Sequence, residues 1–396
     1  MAKTYHLVGA FDRHNYGDIL FPLVHTEQLV ASGISRNQIR YVAITAADLT
    51  QDGGYATKSV KELLSSPLHR DDVVVMCGGD ILSADWMLMV AHLHSTLFLK
   101  AARVARRLLG VVRTNDMARR LLGEKNAFPY VISRNDCGAS IYFTAVGGAG
   151  FQSDLHVQRV AAELQQTDGV SVRDKEVQQL LAKAGVSAAL VPDTALIMSD
   201  FFTPDVLRAR PWKTKLKVHG AFDESRYFSF QGAKRLLEGH LDELAAEIVK
   251  TYQLTGLAPM FVPIGRAPDH EDHVVLEALY RRTVAANIPC AYQDSEHILD
   301  IMTSLALART YVGTSLHGAI TTYSFGHKPT ALFCNEVKKL KDFLNSWLTP
   351  DDYALHETAQ FAERVSQLIR SDFNIQGMGP LKAHKAAVKK ELARYV

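Results

Sequence analysis

The chain has 396 residues, 47% hydrophobic and 22% charged, with a formal net charge of +2. That length exceeds one ordinary core and suits two domains, and a charge so near zero excludes a global field for nucleic acid, so no nucleic-acid partner is expected. Four dispersed cysteines without a CxxC pair (Cys77, Cys137, Cys290 and Cys334) exclude a disulfide framework and suit a cytoplasmic protein with reduced thiols.

In chain order, strand-like segments alternate with helix-like ones. "YHLVGAF" (5–11) reads as a buried strand that follows the start without an apolar leader, and a helix is expected near 18–32. Strands follow at 38–45, 72–79, 139–150, 169–174 and 187–193, with a helix near 56–65. Residues 199–216 carry two prolines and mixed charge and break the rhythm, which marks a boundary. Strands resume at 216–222, 258–265, 288–294, 310–315 and 329–333. Helices are expected near 237–255, 270–286, 295–308, 335–347 and 357–371. The alternation argues for an α/β protein with parallel sheets covered on both faces. The expected division is residues 1–205 and 206–379, with the basic amphipathic helix 380–396 packing back on the first unit. No apolar run is long enough to span a bilayer.

Residues 98–125 stand apart. They hold eight lysines and arginines against Asp116 and Glu124, a local +6, with Leu, Val and Phe on the other face. Such a segment suits an anionic membrane surface, or else a solvated insertion whose arginines meet acids elsewhere.

Candidate chemistry gathers at strand ends. In "YVGTSLHG" (311–318), Thr314 or Ser315 caps a helix whose first turn carries His317. A helix start with nearby Gly313 and Gly318 suits an anion, with His317 beside it. In "NYGD" (15–18), Asp18 either caps a helix or accepts a hydroxyl proton. Gly78, Gly79 and Asp80 follow the third strand, and "AVGGAG" (145–150) repeats the device after the fourth. Arg173, in "SVRD" (171–174), either clamps a carboxylate or phosphate or pairs with Asp174 or Asp193. Asp269, His270, Asp272 and His273 cluster without HExxH spacing or a third ligand, so no metal is expected. "GTSLH" lacks the second glycine of a nucleophile elbow.

Together, "NYGD", the glycine pair, "SVRD", Asp193 in "VPDTAL" and "GTSLHG" resemble the polysaccharide pyruvyl transferase family, in that family's order. The resemblance implies a GT-B-like architecture of two Rossmann-like domains facing a central cleft. It implies transfer of pyruvate from phosphoenolpyruvate to two hydroxyls of a saccharide, as a ketal, in cell-surface polysaccharide biosynthesis. Phosphoenolpyruvate is then a co-substrate and no cofactor is needed. On this reading His317 is the general acid, Arg173 the anion clamp and Asp18 the partner of the acceptor hydroxyl. Thr314, Ser315, Gly318, Lys338 and Lys341 fall on the donor side, and Asn15, Gly78, Gly79 and Asp80 on the acceptor side. Asp80 stands where many members have a third glycine, and Ser315 where some have arginine, hence the appeal to lysines. A lipid-linked acceptor would place the protein at the inner face of the plasma membrane. The alternatives are a nucleotide-sugar glycosyltransferase of the same architecture and a non-catalytic saccharide-binding protein.

Overall fold

The computed structural model of the protein describes residues 3–65, 67–93, 96–266, 271–370 and 379–396. Its first sheet holds β1 (Tyr5–Val8), β2 (Ile39–Ala43), β3 (Ala47–Asp48), β4 (Ala56–Ser59), β5 (Val73–Cys77), β6 (Ser140–Val146), β7 (Gly169–Val172) and β8 (Ala189–Leu190), in the order β3-β4-β2-β1-β5-β6-β7-β8. All neighbours are parallel except β3 and β4. The second sheet holds β9 (Leu216–His219), β10 (Tyr227–Gln231), β11 (Ala258–Phe261), β12 (Cys290–Gln293), β13 (Tyr311–Gly313), β14 (Pro329–Ala331) and β15 (Ala354–Leu355), in the order β15-β14-β13-β10-β11-β12-β9. Here only β9 runs antiparallel, against β12. Central strands such as β5, "VVVMC", are buried along their whole length, because helices cover both faces of a parallel sheet. This is the two-domain Rossmann-like arrangement that the alternation of elements implies.

Three differences have local causes. β10, "YFSFQ", lies at the centre of the second sheet and was not foreseen, because its aromatic run follows a charged turn. The expected helix near 56–65 begins instead as β4, and only Val60–Leu63 turns helical behind a Ser59 cap. β3 and β15 are two residues each, too short for a period to show.

The sheets are joined by a continuous apolar core. Leu7, Phe21 and Val75 from the first sheet's side share one cluster with Phe230, Ile301 and Ile320 from the second. The helix Tyr16–Ala31 is the main seam: Asn15 bridges Gly265 through the backbone, and the Tyr16 and Thr321 hydroxyls meet at 2.8 Å. The terminal helix Gly379–Leu392 then straps the seam. Its Lys385 and Lys389 pair with Asp200 at 2.9 and 2.7 Å, and the Tyr395 hydroxyl beyond it lies 3.0 Å from His25 Nδ1. Leu392 is fully buried. We expect Leu392→Ala to cost about 2–5 kcal/mol, read as a lower denaturant midpoint.

Candidate active site

The carboxyl ends of β1, β5 and β7 face those of β10, β11 and β13 across one cleft of about 330 Å³, where ligands collect in open α/β sheets. His317 enters it from the helix Leu316–Ser324, whose N-cap is Ser315: its hydroxyl accepts from Gly318 N at 3.3 Å. Ser315 N in turn donates to the Tyr311 hydroxyl at 2.8 Å, which donates to Gln231 Oε1 at 2.8 Å. Thr314 accepts from Ala233 N at 3.1 Å. The loop is thus fixed by its own side chains, while Leu316 and His317 N–H, in the first turn, lack intrahelical partners.

The imidazole is held from the other sheet. Phe21 meets it edge to face, with centroids 5.4 Å apart. Gly17 forms the wall behind it: a Cβ there would lie 1.9 Å from His317 Nδ1, so only glycine leaves the ring its place. The buried Nε2 has no hydrogen-bond partner among the described residues, but it faces Asp193 Oδ2 at 3.7 Å.

Asp193 follows β8 and is fully buried. The same Oδ2 accepts from Arg173 Nη1 at 2.8 Å, and Oδ1 accepts from Ala195 N at 3.0 Å. Burial pushes this carboxyl up, yet His317, Arg173 and the Ala195 N–H outweigh it and bring it down to about 2. Arg173 Nη2 donates to Asp80 Oδ1 at 3.0 Å. Gly147 makes room, since a Cβ there would strike Asp80 Oδ1 at 2.3 Å. Burial likewise raises Asp80, but Arg173 and Lys339 hold it below its usual range. The result is a continuous run of facing side chains, Asp80–Arg173–Asp193–His317, from the first sheet to the second.

The remaining carboxylates differ. Asp18 faces the cleft with no hydrogen bond to its side chain among the described residues, and burial raises its pKa despite His317, Arg13, Lys339 and Arg173 nearby. Asp272 accepts from Gln231 Nε2 at 2.8 Å and from Gly265 N at 3.0 Å. Its Oδ1 has no hydrogen-bond partner among the described residues, and burial pushes the carboxyl up to about 6.

The sequence profile of the family described as polysaccharide pyruvyl transferase matches residues 13–332, a span holding every one of these groups except Lys339. The chain belongs to the polysaccharide pyruvyl transferase family. No curated protein matches it. Among solved structures, UDP-N-acetylglucosamine 2-epimerase from Rickettsia bellii is similar with a TM-score of 0.55 and 11% identity, covering 100% of this chain and 96% of that one. UDP-GlcNAc 2-epimerase from Methanocaldococcus jannaschii gives 0.53 and 9%, covering 99% of both chains. The Neisseria meningitidis enzyme bound to UDP-GlcNAc gives 0.52 and 9%, covering 100% and 99%. At such identities the likeness shows the GT-B-type fold alone.

In this pyruvyl transferase family member, His317, Arg173, Asp18, Asp80, Asn15, Gly79, Thr314 and Ser315 all line the one cleft. Several expectations change. Asn15, not Asp18, caps its helix, accepting from Gly17 N at 3.0 Å, which leaves the Asp18 carboxylate unspent. Arg173 pairs with Asp193 and Asp80, whereas Asp174 caps the next helix by accepting from Val177 N. Each terminal nitrogen therefore already holds one carboxylate of the protein itself. Gly78 and Gly318 support the walls without lining the cleft: a Cβ at Gly318 would lie 2.5 Å from Tyr311. Lys338 pairs with Glu176 and Lys341 bonds Asn335 at 2.9 Å, both outside the cleft. The lysine between them, Lys339, faces it, 3.9 Å from Asp80 Oδ2. Of the acidic and histidine cluster, Asp269 and His270 lie outside the described residues. Arg235, Gln231 and Asp272 also line the cleft, and sequence reasoning passed over the first two because β10 was missed.

Two outcomes check this geometry. We expect Gly17→Ala to keep the fold but displace the ring, lowering turnover by about 10–100-fold in steady-state assays. Asp193, with its pKa depressed in the fold, contributes stability that is present above its ordinary pKa and lost as pH falls through about 2. Asp193→Asn should therefore cost about 3–5 kcal/mol at neutral pH, and the penalty should shrink in acid, as read by denaturant melts across pH.

Proposed function

We propose that the cleft transfers pyruvate from phosphoenolpyruvate to two hydroxyls of a saccharide unit, forming a cyclic ketal during cell-surface polysaccharide assembly, on the cytoplasmic side. One observation carries the reading. A histidine paired with a buried carboxylate and an unspent carboxylate, Asp18, line one cleft beside an open helix amino end.

The donor is an enol phosphate with two anionic groups. Its phosphate or carboxylate would rest on the first-turn N–H groups of Leu316 and His317, with Arg235 and Lys339, both from the second sheet's half, supplying charge. Arg235 has no ion-pair partner among the described residues, so it can meet an anion without first breaking a bond. His317 gives a proton to the methylene carbon, and the central carbon becomes electrophilic. Asp193 stabilises the imidazolium before that transfer, and Arg173 keeps Asp193 in place. Asp18 takes the proton of the first sugar hydroxyl as its oxygen bonds to the central carbon. Asp80 is the weaker candidate for that role, because its carboxylate is bound to Arg173 and near Lys339. The second hydroxyl then displaces phosphate, loses its proton and closes the ring.

Mass spectrometry of saccharide acceptors incubated with phosphoenolpyruvate, together with a phosphate-release assay, tests this. His317→Gln should lower turnover by about 10²–10⁴-fold while the melting curve is kept. Near-normal turnover in folded His317→Gln would sink the assignment. Nucleotide release from a sugar nucleotide, with no use of phosphoenolpyruvate, would assign glycosyl transfer instead.

A further inference from the structure

The helices Thr96–Leu109 and Val111–Leu122 meet at Gly110 and pack on the helix Trp86–Leu93. Ala102 and Arg106 turn inward on the first, as do Val111, Thr114, Asn115 and Ala118 on the second. Helical spacing then sends the i,i+4 pairs Val104/Leu108 and Met117/Leu121 outward. Leu108 is 77% exposed and Leu121 85%, the two largest values among the exposed large hydrophobic side chains described. Arg107 neighbours the first stripe, and Arg113 and Arg120 flank the second. All three are exposed and have no ion-pair partner among the described residues. The acids of the segment are spent away from that face: Asp116 on Arg159 at 3.2 Å and Glu124 on Lys61 at 3.9 Å. What faces outward is apolar and positive together.

We propose that this helix pair seats the protein on an anionic phospholipid surface, with Val104, Leu108, Met117 and Leu121 entering the acyl boundary and the arginines meeting lipid phosphates. Interleaving favours lipid over protein as the occupant. A protein partner would have to supply an acid for each arginine within an apolar patch, whereas a lipid headgroup layer offers phosphate at every position. The pair is also tied to the cleft. Arg106 pairs with Asp85 at 2.9 Å and Asn115 Oδ1 accepts from Trp86 N at 3.0 Å, while Ala84 and Met89, on either side of those residues, line the cleft. A bilayer under these helices is thus joined to the cleft wall through residues 84–89. Membrane contact of this kind does not depend on which reaction the cleft catalyses.

Flotation of the full chain with vesicles tests it. Vesicles containing about 30% phosphatidylglycerol should carry the protein at least about tenfold better than pure phosphatidylcholine, and about 0.5 M salt should weaken the association. The double variant Leu108→Asp/Leu121→Asp and the triple variant Arg107→Gln/Arg113→Gln/Arg120→Gln should each lose about tenfold, with unchanged circular dichroism melts. No preference of the unaltered protein for anionic vesicles overturns the proposal, a result that needs no variant. So does flotation that both variants leave intact. A concentration-dependent dimer that Leu108→Asp dissolves would give the face to a second copy of the chain and overturn it as well.

Discussion

The site rests on one buried carboxylate oxygen. Asp193 Oδ2 lies between the Arg173 guanidinium and the His317 ring, with no exposure to water. Alone, that carboxylate would be pushed toward its neutral form by desolvation. The His317 ring, the Arg173 guanidinium and a backbone N–H reverse the balance, and in return it holds both side chains. Without it Arg173 would keep only Asp80 as a carboxylate partner, and the His317 ring, seated against Gly17 and Phe21, would have no carboxylate at Nε2. Arginine, aspartate and histidine come from separate segments, so the pairing also ties the end of the first sheet to the start of a helix in the second.

Around this point, the cleft sorts its carboxylates by environment. Asp80 is held low beside cations, Asp18 is raised by burial and carries no bond among the described residues, and Asp272 is raised to about 6 in a network of neutral donors. Similar side chains with divergent proton affinities are how one pocket separates acid, base and structural duties. The division proposed here, with Asp18 at the acceptor and Asp80 holding Arg173, follows from that contrast. Sequence adjacency does not decide it, because both residues follow a strand in the same sheet.

Much of this was legible in the chain. Runs such as "DVVVMC" and "YHLVGAF" announce buried parallel strands, and the caps, glycines and charged residues at their ends point to one rim. His317, Arg173, Asp18 and Asp80 were found that way. What stayed hidden were properties of the third dimension. Lys338, Lys339 and Lys341 are equivalent as letters, and only the helix phase of Lys338–Trp347 selects the middle one. Arg173 shows its type in sequence but not that both terminal nitrogens are taken. Gln231 and Arg235 were missed with β10, whose five residues sit at the sheet centre yet carry no period longer than a turn. Gly17 is a small residue in a loop motif until His317 is laid against it.

That last contact has a wider consequence. The ring belongs to one half of the molecule and its seat, Gly17 and Phe21, to the other. Any parting of the halves would unseat the imidazole from its wall while leaving each half internally intact. Competence for the proposed proton transfer would then be tied to the register of the seam itself, as a latch is to its frame.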